Sequence, residues 1–288
     1  MKKIAKSLVC LTTLIAIFIP GTLPAIEDLS EPLSKQGNIA PWANNLKPGN
    51  FEVESEIDYS YFDHYIDGSG KQVPANGRHK QTELDLRVTA GITERVEAGV
   101  VFGMETESFD SRDRDDPEEY STSVIDASFA FRYRFWGEND SRALAVEAGV
   151  LFPMVSESSY ALWEAGLVYS QPLSKKLGMS VDATYFIASE NESGDPRMGA
   201  RANLSFCYFP VDKWMLAAEL NGVFYDMKDE TKDTWELSPS LGVQYEVNDL
   251  LSVQLYGQQV IPGLAANDEM ETRATLQITF AFGPKKLP

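Results

Sequence analysis

The stretch Leu84-Asp-Leu-Arg-Val-Thr-Ala-Gly-Ile-Thr-Glu-Arg-Val-Glu-Ala-Gly-Val-Val-Phe-Gly-Met104 decides the fold. Leu84, Leu86, Val88 and Ala90 alternate with Asp85 and Arg87, and the run is preceded by Glu83. After a tight connection at Gly91–Glu94, Val96, Ala98, Val100, Phe102 and Met104 alternate with Glu97, Gly99, Gly103 and Glu105. A period of two places the apolar set on one face of a pleated strand and the polar set on the other. Two such strands across a short turn form an antiparallel hairpin.

The alternation runs outward in both directions, from Phe51 to Phe282. The first strand sets Phe51, Val53, Ile57, Tyr59 and Tyr61 against Glu52, Glu54, Glu56 and Asp58. Ile125 to Phe135 sets aromatics against Asp126, Ser128, Arg132 and Arg134, and Leu144 to Phe152 carries Glu147 on its polar face. The strands near Trp163, Leu177, Met198, Leu216 and Trp235 repeat the pattern, with Glu164, Asp182, Arg201, Glu219 and Glu236 on their polar faces. The strand of Leu251, Val253 and Leu255 is the least regular. The last carries Ala274, Leu276, Ile278, Phe280 and Phe282 opposite Arg273, Thr275, Gln277 and Thr279. The expectation is an all-β fold: a closed, up-and-down antiparallel transmembrane barrel of about twelve strands over residues 51–282.

A soluble sandwich also alternates, so three further features choose the membrane. Connections alternate in length: Asp63–His79 and Thr106–Ser121 are long and charged, while Gly91–Glu94 and Phe209–Lys213 are tight. Aromatics gather at strand ends, with Phe135, Trp136, Tyr169, Tyr208, Trp214, Tyr245 and Phe282 at the short-turn end. Tyr59, Tyr61, Phe102, Phe152, Tyr160, Trp163, Tyr185, Phe224 and Trp235 lie toward the other end. Such rings suit the boundary between hydrocarbon and headgroups. Strands of about 9–11 residues match a tilted crossing of the bilayer, and closure satisfies every backbone amide without water.

The N-terminus sets the compartment. Lys2, Lys3 and Lys6 precede the apolar run Leu8–Ile19, and Pro20 and Gly21 break it before Ala25. This is the layout of a signal peptide over residues 1–25, too short to be a spanning helix. Residues 26–50, interrupted by Pro32, Pro41 and Pro48, read as a periplasmic extension, and residues 283–288 as a tail. Both mature termini are then periplasmic, in the outer membrane of a Gram-negative bacterium. Cleavage leaves Cys207 as the one thiol, which excludes a disulfide framework and a paired-cysteine metal site. The formal charge of −18 becomes −21 once three lysines leave with the signal. That balance argues against nucleic-acid partners and leaves outer-membrane lipids and the barrel-assembly machinery as the expected ones. No cofactor is expected.

Gly91-Ile-Thr-Glu-Arg-Val-Glu-Ala-Gly-Val100 resembles the recurrent hairpin of the outer-membrane family called MetA-pathway of phenol degradation. The resemblance implies a porin-like or transporter barrel, for small aromatic compounds among others, with no catalytic motif to carry over. The alternating Leu276, Ile278, Phe280 and Phe282 are similar to the C-terminal assembly signal of bacterial barrels, here followed by Gly283–Pro288.

If the apolar faces meet lipid, the polar faces line a lumen. Its expected lining is Glu54, Glu56, Asp58, Glu83, Asp85, Arg87, Asp126, Arg132, Arg134, Glu147, Glu164, Asp182, Arg201, Glu219, Glu236 and Arg273. Acids outnumber arginines, so pairing cannot neutralise all of them and water or cations should enter. About twelve strands lie between a side-chain-filled interior and an open pore, so the conduit should be narrow. The expected function is passage of small cationic or neutral solutes. Two alternatives stand beside it: a structural or adhesive barrel without a pore, and a lipid-modifying enzyme using His64 or His79 at the outer rim. The run Asp110–Glu119 suggests a divalent cation but lacks the glycine and closing glutamate of an EF-hand loop, so it reads as a solvated loop.

Overall fold

The structure, a computed structural model, describes residues 46–66, 72–111, 119–138, 142–153, 161–188, 198–226, 234–248, 250–262 and 268–283. The signal peptide, residues 26–45, positions 112–118 of the acidic run, Tyr160 and residues 284–288 lie outside the described residues. The strands are β1 (Phe51–Ile66), β2 (Gln72–Thr93), β3 (Val96–Ser111), β4 (Glu119–Gly137), β5 (Ala143–Pro153), β6 (Leu162–Ser174) and β7 (Leu177–Ala188). They continue with β8 (Met198–Tyr208), β9 (Trp214–Asp226), β10 (Thr234–Asn248), β11 (Leu251–Gln259), β12 (Ile261–Pro262) and β13 (Asp268–Phe282). Strands β1 to β10 pair in chain order, β10 pairs β11, β11 pairs β13, and β13 returns to β1. Every described pairing is antiparallel. The result is a closed twelve-stranded barrel with one short extra strand. No helix among the described residues is long and apolar enough to cross a membrane.

The extra strand has a local cause. Pairing between β10 and β11 stops at Ser240↔Gln258 and resumes between β10 and β12 at Leu237↔Ile261. Pro239 lies in the gap, and proline has no N–H to give a ladder. The chain repairs the lapse on the other side: Val260 N–H donates to Glu271 O at 2.8 Å. The Gln259 carboxamide also donates to Glu271 O at 2.9 Å and accepts from Thr272 Oγ1 at 2.9 Å. β11 and β12 together fill one position in the ring, the one occupied by the least regular strand of the sequence.

Burial is inverted relative to a water-soluble protein. The shielded residues include Glu54, Glu97, Arg134, Gln254, Thr275 and Gln277, whereas Leu86, Phe102, Phe129, Leu220, Leu241 and Leu255 are exposed. Exposed apolar patches of this extent mark a surface that meets lipid or protein, and here they encircle the sheet. Phe135, Trp136, Tyr208, Trp214, Tyr245 and Phe282 are exposed at the short-turn end, and Tyr59, Phe102, Phe152, Trp163, Tyr185 and Trp235 toward the other. The separation into bands is incomplete. Phe129 and Phe131 sit midway up the wall, beside the smaller partners Val100, Val150, Ala98 and Ala148, which leave room for the rings.

The first two hairpins extend further than their charge suggests. The segments 63–79 and 106–121 read as loops, yet β1 runs to Ile66, β2 starts at Gln72, β3 runs to Ser111 and β4 starts at Glu119. Cross-strand hydrogen bonds form in water as well as in lipid, so a ladder can continue past the apolar belt. Tyr65↔Val73 and Ile66↔Gln72 continue it above a register shift at Phe62/His64.

The chain enters the barrel against Gly91. Gly49 N–H donates to Gly91 O and Gly91 N–H to Asn50 O, each at 2.9 Å. A Cβ on Gly91 would stand 2.3 Å from Lys47 O and 2.6 Å from Leu46 O, both backbone atoms with little freedom to retreat. Gly91→Val should therefore lower stability by about 1–3 kcal/mol, the usual range for overpacking. Gly222→Ala, whose added Cβ would meet nothing nearer than 3.9 Å, should be neutral. Thermal unfolding of the two variants in detergent checks the contrast; equal midpoints would remove the steric argument.

Candidate functional site: the charged inner face

The register carries every second residue of each strand to one shielded face. Glu54 stands opposite Arg87, Glu56 opposite Asp85 and Asp58 opposite Glu83. Gly91 continues through Glu97, Arg132, Glu147, Gly166, Thr184, Arg201, Val223 and Glu236, one residue per strand from β2 to β10. That row is the backbone of the charged network.

Arg132 is its hub. The guanidinium contacts Glu97 Oε1 at 2.8 Å through one terminal nitrogen and Glu147 through the other. Its Nε donates to Glu147 Oε1 at 2.5 Å. The remaining oxygen of Glu97 accepts the Leu46 amide N–H at 2.9 Å, tying the entering chain to the same network. A fork of donors held between two carboxylates is what arginine geometry favours.

The other predicted residues fall into smaller groups. Arg201 pairs with Glu164 at 3.0 Å across the intervening β7. Asp182, opposite Asn203 on β8, is buried. Glu219 accepts from Ser205 Oγ at 3.3 Å and from Ser240 Oγ at 3.5 Å. Arg87 pairs with Glu54 at 3.3 Å, and Arg273 binds both oxygens of Glu271 at 3.1 and 3.2 Å. Arg134 turns to the rim, donating to Glu94 O at 2.5 Å in the tight turn between β2 and β3. Glu236 is half-buried opposite Val223. The backbone of Asp126 pairs with Gly103 and Pro153, while its side chain lies outside the described residues.

Several polar partners escaped sequence reasoning. Tyr256, on the irregular strand, donates to Glu56 Oε1 at 3.3 Å, and Thr275 Oγ1 donates to Asp58. Glu271 captures Arg273 from two positions away. Hydroxyl and amide positions give a weak signal because they alternate without charge. The row Gln244–Gln254–Gln277 could have been found only by aligning three separate strands.

The rim histidines are placed differently from one another. His64 Nδ1 lies 2.5 Å from Asp63 Oδ1, and Asp63 also accepts from Tyr61 Oη at 2.6 Å. The His79 ring packs on Phe62 with centroids 4.7 Å apart. Among the described residues, no three His, Cys, Asp or Glu side chains are grouped to hold a metal ion.

No family model matches the chain, and no curated protein sequence does. Its backbone is similar to that of solved outer-membrane barrels. One is an outer membrane channel from Pseudomonas putida F1, with a TM-score of 0.68 at 13% identity over 83% of this chain and 98% of that one. Another is the translocator domain of the autotransporter NalP from Neisseria meningitidis, at 0.54, 11% identity, 83% and 91%. A third is the NanC porin, at 0.52, 14% identity, 79% and 98%. The likeness is one of fold. A channel, an autotransporter's translocator domain and a porin share it, so the function has to be argued from the inner face.

Proposed function

We propose that this chain is a narrow porin-like channel in the outer membrane of a Gram-negative bacterium, passing small solutes with a preference for cations and neutral molecules. The observation that carries the reading is solvent access inside the wall. The side chains of Arg87 and Arg201 are 41% and 45% exposed although both belong to the shielded face of a closed barrel. That exposure supports an interior open to water, which a fully packed plug would exclude. Acids exceed bases there, so the field favours cations over phosphates and carboxylates.

The signal peptide, the periplasmic termini, the lipid contacts and assembly by the barrel machinery belong to the same proposal. So does kinship with the MetA-pathway of phenol degradation family, supported by the Gly91–Val100 hairpin alone. The reading is non-enzymatic and draws nothing from His64 or His79. A structural barrel without a pore is the competing reading, favoured by the tight Arg132 pairs.

Planar-bilayer recording of the purified full chain separates the two. The expected result is a small conductance whose reversal potential in a KCl gradient lies on the cation side. Arg87→Glu should move it further in that direction. Anion selectivity, or silence from a sample shown to be folded, would overturn the channel.

A further inference from the structure

On the inner face of β7, β8 and β9 one level row sets Asp182 opposite Asn203 and Asn203 opposite Asn221. Directly opposite side chains on neighbouring strands have Cβ atoms about 4.5–5.5 Å apart, so the three polar ends lie side by side. Asp182 Oδ2, Asn203 Oδ1 and Asn221 Oδ1 are all shielded, and none has a hydrogen-bond partner among the described residues. All three are oxygens. The glutamine row of β10, β11 and β13 differs, because Gln254 Nε2 and Gln277 Nε2 are unpartnered there beside Gln244 Oε1 and Gln277 Oε1. Rotated amides can satisfy one another in that row, whereas the row of Asp182 holds only acceptors.

A chain of hydrogen bonds fixes which end of the middle amide is used. Glu219 accepts the Ser205 hydroxyl proton at 3.3 Å, which leaves Ser205 Oγ as an acceptor. Asn203 Nδ2 donates to it at 3.2 Å, and the same side chain hydrogen-bonds Asp182. An ionised carboxylate only accepts, so both bonds use the Asn203 nitrogen. Its oxygen is left over, as is Asp182 Oδ2.

Asp182 is 7% exposed, and the nearby arginines are directed elsewhere, Arg201 to Glu164 and Arg132 to Glu97 and Glu147. A shielded carboxylate with an unmet oxygen is costly. Two amide oxygens at its side add to the need for positive charge. Oxygen ligands suit a hard cation. The set carries one formal charge, and affinity for a divalent ion is tuned by the count of charged ligands, which favours a monovalent one. Asp182 is buried and Asn203 and Asn221 are half-buried, so a bare ion fits the approach better than a cation with an organic body.

We propose that Asp182, Asn203 and Asn221 form a binding site for an alkali-metal cation, ligated by Asp182 Oδ2 and the two asparagine Oδ1 atoms. The site rests on the water-accessible interior read above and places a cation on the wall of β7 to β9.

Two measurements on the full chain test it. Crystals equilibrated in rubidium chloride should show an anomalous-scattering peak between the three oxygens. In detergent, potassium chloride should raise the thermal midpoint above that in tetramethylammonium chloride of equal ionic strength, because an ion bound only by the folded state stabilises it. Asp182→Asn should abolish the difference between the salts. Asn221→Asp, with a second carboxylate in the row, should bind calcium at least tenfold more tightly than the parent. Both variants are read in samples that keep the electrophoretic shift between boiled and unboiled protein that marks a folded barrel. Ordered crystals with water only at the row, equal midpoints in the two salts, or a salt difference unchanged in folded Asp182→Asn would each overturn the site. So would unchanged calcium affinity in folded Asn221→Asp, or stronger stabilisation of the parent by calcium than by potassium. Conductance with no rubidium at the row would remove the site and keep the channel; rubidium at the row of a folded, silent barrel would do the reverse.

Discussion

Arg132→Met should destabilise the barrel by about 3–5 kcal/mol, the range for removing one member of a shielded ion pair. The loss comes less from the missing attraction than from what is left behind. Glu97 is buried and Glu147 half-buried, and without the guanidinium each keeps a charge with its main counter-ion gone. Neutralising those acids should recover most of the loss, so the triple variant Arg132→Met, Glu97→Gln, Glu147→Gln is expected to unfold near the parent. Glutamine at 97 still offers an oxygen to the Leu46 amide, so the entering chain keeps its tie. Urea unfolding in detergent, followed by tryptophan fluorescence, measures both steps. A single variant as stable as the parent would show that the hub is solvated well enough to need no partner.

Phe129→Arg and Ser128→Arg should differ sharply although the residues are neighbours. Phe129 is 49% exposed midway up the wall, flanked by Val100 on β3 and Val150 on β5. An arginine there would sit in hydrocarbon, at about 2–4 kcal/mol against folding into a bilayer for a midplane position. Ser128 pairs with Val101 and Leu151 and takes the opposite face of the same strand. An arginine at Ser128 would point into the barrel, which the proposed channel takes to be hydrated, and should be tolerated within about 1 kcal/mol, since charge on that side alters selectivity more than stability. Equilibrium folding into lipid vesicles from urea resolves the two. Equal costs, or a reversed order, would mean that the apolar side does not face lipid.

The parity underlying that contrast was legible in the sequence, because a pleated strand repeats every two residues and a one-residue slip would turn every side chain to the wrong face. Leu84 to Met104 contains enough alternation to fix both faces, and the last strand does the same from Ala274 to Phe282. The partners of charged residues were not legible. Arg132 meets Glu97 and Glu147 because register brings β3, β4 and β5 level, and no spacing in the chain announces that alignment. The long hairpins were underestimated because charge was read as loop, whereas a hydrogen-bonded ladder is indifferent to charge once it stands in water. The break at Pro239 was visible as an irregular following strand, but its repair by the Gln259 side chain and the Val260 amide depends on where Glu271 arrives.

The seam between β1 and β13 begins at Phe51↔Phe282, joining positions 231 residues apart (282 minus 51), with the two rings stacked at 4.9 Å. Contacts of such separation carry a loop-closure entropy that nearer pairs do not, and topologies dominated by them fold slowly. Until the last strand arrives, β1 presents an unpaired margin along its length, a ready template for another chain. A chain truncated before Asp268 should therefore yield sheets that aggregate rather than a smaller cylinder, because each end of this polypeptide is the missing neighbour of the other.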